Sequence, residues 1–135
     1  MFVIGACSIE TAPTPTARRG DGRPVLFVGN SLTYANELPG LLSALADSAG
    51  GQKLSVASVA FPDYALEDHW TEGTALKAIR KGGWEVVIMQ QGSSALPENR
   101  SRLPEWTARC SSKLRQANTR PGLSTGWPQW GRRVP

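Results

Sequence analysis

Val25-Leu26-Phe27-Val28-Gly29-Asn30-Ser31-Leu32-Thr33 is the stretch on which the fold turns. Four apolar residues run in succession without polar alternation, the pattern of a strand buried on both faces. Gly29-Asn30 ends the run with residues that favour a turn. A hydroxyl, Ser31, follows at once. A strand covered on both sides needs helices above and below it, so the neighbouring segments should alternate between helix and strand.

They do. Glu37 to Ala49 carries Leu38, Leu41, Leu42, Leu45 and Ala49 at helical spacing and closes on Gly50-Gly51, which predicts a helix with those residues inward. Lys53 to Ala60 is rich in β-branched residues and predicts a second strand. Leu66 to Lys81 predicts one helix, with Leu66, His69 or Trp70, Ala75, Leu76 and Ile79 inward, stopping at Gly82-Gly83. Trp84-Glu85-Val86-Val87-Ile88-Met89 predicts a third buried strand, and residues 101–118 a third helix. The β-α-β-α-β-α order implies an α/β three-layer α/β/α sandwich with a parallel sheet and strand one central. Residues 24–118 make up this domain. Residues 1–23 form a Pro/Thr/Arg-rich flexible leader. Residues 119–135 read as an irregular basic tail, although Arg120-Pro121-Gly122-Leu123 resembles the approach to a fourth strand.

In open parallel sheets ligands sit beyond the C-terminal strand ends. Strand one ends in Gly29-Asn30-Ser31, strand two in Phe61-Pro62-Asp63-Tyr64, and strand three in Gln90-Gln91-Gly92-Ser93-Ser94. These loops should share one edge. Ser31 at a strand-to-helix turn can be a nucleophile whose developing oxyanion is stabilised by backbone N–H groups at the helix start. Asn30 and Ser31 also suit ordinary helix capping.

The Gly29-to-Thr33 block resembles the first block of the SGNH hydrolase (GDSL-like esterase) superfamily. Ala65-Leu66-Glu67-Asp68-His69-Trp70 is similar to its second block. The run from Trp84 through Gln90-Gln91-Gly92-Ser93-Ser94 to Glu98 is similar to a third block in a bacterial branch, where a Gln/Ser-rich loop replaces Gly-x-Asn-Asp. The resemblance covers about residues 24–109 and implies a flavodoxin-like SGNH fold acting on a small-molecule ester, an acylated sugar or a lipid. It implies Ser31 as nucleophile and its N–H as one oxyanion donor. It implies Asp63 at the position of a donor glycine, with its carboxylate an unfavourable neighbour for an oxyanion. Gln90 is favoured as the last donor, with Gln91 or Ser93 as the alternatives, and Asn30 is a secondary site candidate. His69 matches a second-block histidine rather than the family's base and reads as a packed residue.

The family's base lies in a C-terminal Asp-x-x-His block. The chain has a single histidine, His69, so that block is absent from these 135 residues. The resemblance therefore implies a C-terminally incomplete domain, truncated or frame-shifted after about residue 109, and little activity from the chain alone. A non-catalytic anion-binding remnant and a flavodoxin-like binding domain are the alternatives.

Composition narrows the rest. The chain is 40% hydrophobic and 19% charged, ordinary for a folded domain. The net charge of +4 is unevenly placed: residues 1–100 hold 8 basic and 10 acidic residues, and residues 101–135 hold 7 basic and one acidic. No nucleic-acid-binding or zinc pattern accompanies the basic end, so neither nucleic acid nor a metal or other cofactor is expected. Ile4-Gly5-Ala6-Cys7 has the pattern of a bacterial lipoprotein cleavage site, with Cys7 as lipid attachment point and the leader as tether. Only six residues precede Cys7, shorter than the about 7–15 apolar residues that a secretion signal needs, so the reading requires an upstream start. With such a start the protein is expected in the cell envelope, as a periplasmic or outer-surface lipoprotein, or secreted, and otherwise in the cytoplasm.

Overall fold

The computed structural model describes residues 20–91, 97–117 and 120–124. Cys7, Ser93 and residues 125–135 lie outside the described residues, as does the leader up to residue 19. The chain runs β1 (Arg23–Gly29), α1 (Ser31–Tyr34), α2 (Leu38–Ser48), β2 (Leu54–Ala60), α3 (Leu66–Glu72), α4 (Thr74–Lys81), β3 (Val86–Gln90), α5 (Pro97–Gln116) and β4 (Arg120–Ser124). The strands form one parallel sheet in the order β2-β1-β3-β4. β1 is interior, as its unbroken apolar run requires.

Alternate residues of each strand feed two half-cores. Leu26 and Val28 lie level with Ala57 and Val59 on β2 and with Val87 and Met89 on β3. These six pack with Leu66 of α3, Ala75 and Ile79 of α4, and Cys110 and Leu114 of α5. Val25, Phe27 and Val56 face the other way, where Leu42 of α2 covers them. The domain is therefore an α/β/α sandwich. Burial pushes the Cys110 thiol up to about 11, so it is a poor nucleophile at neutral pH. Among the described residues no helix is long and apolar enough to cross a membrane.

The structure corrects four expectations. The helix predicted over Leu66 to Lys81 is two helices, because Gly73 adopts a left-handed φ of 87° that ends α3 and starts α4. The helix over Glu37 to Ala49 does not turn all its leucines inward. Leu38, Leu41 and Leu45 are 44%, 58% and 64% exposed. Leu42 packs against that half of the core, and Ser43 Oγ donates to the Leu54 carbonyl at 3.2 Å, so α2 is held along this one line. Residues 120–124 are not irregular: they pair with β3 in register, Val87 opposite Pro121. A proline is tolerated there because β4 is an edge strand of the described sheet and has a side that needs no N–H donor. The sheet also begins earlier than Pro24, since Arg23 is its first residue and its N–H donates to the Lys53 carbonyl at 2.8 Å.

Candidate active site

The register puts the three loop starts at one edge. Gly29 lies opposite Ala60, and Val28 lies opposite Met89, which places Gly29 beside Gln90. The Ser31, Asp63 and Gln90 segments therefore leave the sheet together, as the topology rule predicts.

Ser31 sits half-buried at the first position of α1. Asn30 before it is extended, and its side-chain Oδ1 accepts the Leu32 N–H at 3.1 Å, a side-chain cap. Both readings of the GNS turn thus coexist: Asn30 caps, and Ser31 stands at the start of the helix. The helix itself offers Ser31 less than the sequence pattern suggests. α1 is only four residues long, so the aligned peptide dipoles that a long helix would aim at Ser31 are few. What remains for an oxyanion is individual N–H groups.

The underside of the turn is buried and polar. Thr33 Oγ1 donates to Gln90 Oε1 at 2.5 Å, and Gln90 Nε2 donates to Asn30 Oδ1 at 3.0 Å. Asn30 Nδ2 donates to the Tyr64 carbonyl at 3.1 Å, tying strand one's loop to strand two's. The Gly29 carbonyl takes two donors, the Phe61 N–H at 3.2 Å and His69 Nε2–H at 2.7 Å. Gln91 Oε1 accepts the Leu66 N–H at 3.0 Å and so supports the start of α3. Thr33 had no role in the sequence reading. Its place in the Gly-Asn-Ser-Leu-Thr block was the available signal.

Asp63 is exposed and has a φ of 58°. It is the third residue of a turn that Pro62 initiates and that the Tyr64 N–H closes on the Phe61 carbonyl at 3.4 Å. A left-handed φ there favours glycine, and Asp is among the few side chains that accept it. The backbone thus holds a glycine-like conformation at the position where the resemblance expects glycine.

His69 is 2% exposed within α3, near the rings of Phe61 and Tyr64. A carbonyl only accepts, so Nε2 carries the proton and Nδ1 is bare. Nδ1 is buried and has no hydrogen-bond partner among the described residues. Burial holds the imidazole pKa below its usual 6.5, against smaller upward pulls from the Gly29 carbonyl, Asp68 and Glu72. His69 is thus a packed histidine that holds the base of the Ser31 turn. The unfolded chain takes up a proton below about pH 6.5 while the folded chain resists it. Stability should be fully present above that pH and fall as the solution is acidified through it. Urea unfolding between about pH 7.5 and 5.5 should show this slope, and His69→Gln should flatten it. An equal slope in the variant would mean that other groups carry it.

Among the described residues no cluster of three or more His, Cys, Asp or Glu side chains is arranged to hold a metal ion. The fold is SGNH-like. The chain resembles the solved structure of a candidate SGNH hydrolase from Slackia heliotrinireducens, with 26% identity and a TM-score of 0.66 over 80% of this chain. It spans 58% of that protein's length. No family profile and no curated protein matches it.

Proposed function

We propose that this chain carries the nucleophile side of a serine ester hydrolase of the SGNH type. The observation that carries the reading is the Ser31 turn: a hydroxyl presented just beyond the C-terminal end of an interior parallel strand, on a base locked by buried hydrogen bonds. Ser31 Oγ attacks the acyl carbonyl as its proton passes to a base, the base returns that proton to the alcohol leaving from the tetrahedral intermediate, and water then cleaves acyl-Ser31 to release the acid. The N–H groups of Ser31 and Asp63 stabilise the oxyanion, the latter in the glycine-like backbone that its φ of 58° provides. Acylated sugars and lipids are the substrate classes this reading takes. His69 does not serve as the base, because its protonated nitrogen is bonded to Gly29 and its other nitrogen is buried. The test is hydrolysis of a short p-nitrophenyl ester with and without added imidazole, in the chain and in Ser31→Ala.

That same histidine favours a second reading, a non-catalytic domain that binds an ester or acid at this edge. Its signature is binding of the ester with no Ser31-dependent turnover, even with imidazole present. A tether through Cys7 belongs to either reading. A form extended upstream should incorporate labelled palmitate, and Cys7→Ser should abolish the label. Label that persists in Cys7→Ser would remove the tether.

A further inference from the structure

Gln90 follows the apolar run of β3 and occupies the place where the family resemblance puts an oxyanion amide. Its hydrogen bonds lead elsewhere. The Asn30 N–H, which can only donate, faces Gln90 Oε1 at 3.5 Å, so the amide oxygen is on that side. Thr33 Oγ1 donates to the same oxygen. Gln90 Nε2 then faces Asn30 Oδ1, whose identity is set in turn by the Leu32 N–H it accepts. Asn30 Nδ2 passes the connection to the Tyr64 carbonyl. Gln90 is 7% exposed, Asn30 5% and Thr33 2%, so water competes little for these bonds. The two side chains most engaged with Gln90 are the residue before Ser31 and the residue two after it.

We propose that Gln90 is a positioning residue: acting through Asn30 and Thr33, it holds the conformation of the Ser31 turn, and its amide is not a donor to the substrate. The role as stated rests on the ester-hydrolase reading, but the brace itself is measurable without it. Gln90 carries structural information from β3 to a turn on β1, which no contact along the chain supplies. Its loss should loosen the turn while leaving the strands paired.

Two measurements, made on the full chain, decide this. The first is amide hydrogen exchange in wild type, Gln90→Leu and the isosteric Gln90→Glu, which keeps an acceptor for Thr33 but loses the donor to Asn30. Exchange of the Leu32 amide should accelerate about tenfold in both, with the amides of Val56 and Val87 unchanged. Unchanged Leu32 exchange in both variants would overturn the brace. The second is a double-mutant cycle on Ser31-dependent, imidazole-supported turnover with Gln90→Leu and Thr33→Val. Each should lower kcat about tenfold with KM unchanged, and the double variant should be no slower than the slower single one. A multiplicative loss, near a hundredfold, would mean that Gln90 acts on the reacting atoms directly and would overturn the positioning role. If no form of the chain shows Ser31-dependent turnover, the hydrolase reading fails and the catalytic role of Gln90 fails with it. The exchange rates then decide, on their own, whether Gln90 braces the turn.

Discussion

Imidazole added to this chain should speed hydrolysis of a short p-nitrophenyl ester beyond the rate that imidazole gives alone, and Ser31→Ala should remove that excess. A serine hydroxyl is a weak nucleophile until a neighbouring base accepts its proton. The sole histidine of the chain is held under the turn by the Gly29 carbonyl and buried on its other nitrogen. Free imidazole can reach half-buried Ser31 from solvent and supply the missing step. General-base assistance contributes roughly 10²–10⁴-fold when positioned. A diffusing base lacks the positioning, so, once the rate of imidazole alone is subtracted, an increment of about tenfold over Ser31→Ala at the same imidazole concentration is the expected size. The comparison isolates the nucleophile, because Ser31→Ala keeps the backbone N–H groups. Without imidazole both forms should be slow, with any residual rate coming from the N–H donors alone. Equal rates in the two forms at every imidazole concentration would refute Ser31 as nucleophile. Ser31-dependent turnover without imidazole would instead mean that a base within the chain serves Ser31.

Gly29→Ala should strongly destabilise the fold, and Gly40→Ala should be mildly stabilising. A Cβ at Gly29 would lie 2.6 Å from Gln90 Oε1 and 3.0 Å from Gln90 Cβ, and inside contact distance of Thr33 Oγ1. Those oxygens are hydrogen-bonded to each other in a buried site, so neither can retreat without leaving a donor or acceptor unpaired. Overpacking and the broken bonds together should cost about 3 kcal/mol, a fall in Tm on the order of 10 °C. Gly40 lies within α2, and the nearest atom to an added Cβ is Glu37 Oε2 at 3.8 Å. Removing the extra backbone freedom of glycine from the first turn of a helix should add about 0.5 kcal/mol. Thermal melts of the two variants against wild type check both signs. A Gly29→Ala form as stable as wild type would show that the turn yields easily and that the close approach at Gly29 is no constraint.

Much of the architecture was legible in the chain. Val25 to Val28 and Val86 to Met89 are apolar without alternation, which only a sheet covered on both faces accommodates. The loops at their ends followed from the parallel topology. The inward residues Leu66 of α3 and Ala75, Leu76 and Ile79 of α4 were legible because burial on one face of a helix imposes a 3.6-residue period. The same pattern misled at Leu38, Leu41 and Leu45. Periodicity reports that a face is apolar, and cannot say whether another element arrives to cover it. The break at Gly73 was missed for a related reason: a glycine within a helical pattern is compatible with continuation or termination, and only its φ decides.

By itself, the sequence determined the α/β class, the central position of β1, the placing of Ser31 at a strand-to-helix turn, and that within these 135 residues the single histidine is His69. Each of these depends on local pattern or on simple presence. Only the tertiary structure decided what the polar residues around Ser31 are bonded to. It put Gln90 on Asn30 and Thr33, 60 and 57 positions away, and His69 on the Gly29 carbonyl, 40 positions away. It also gave Asp63 the backbone of a glycine. The physical reason is the range of the forces involved. Hydrophobic burial is non-directional, so its record in the chain is a periodicity that can be read residue by residue. A hydrogen bond needs its partner within about 3 Å and in line, and that partner is specified by the packing of distant segments rather than by any neighbour in sequence.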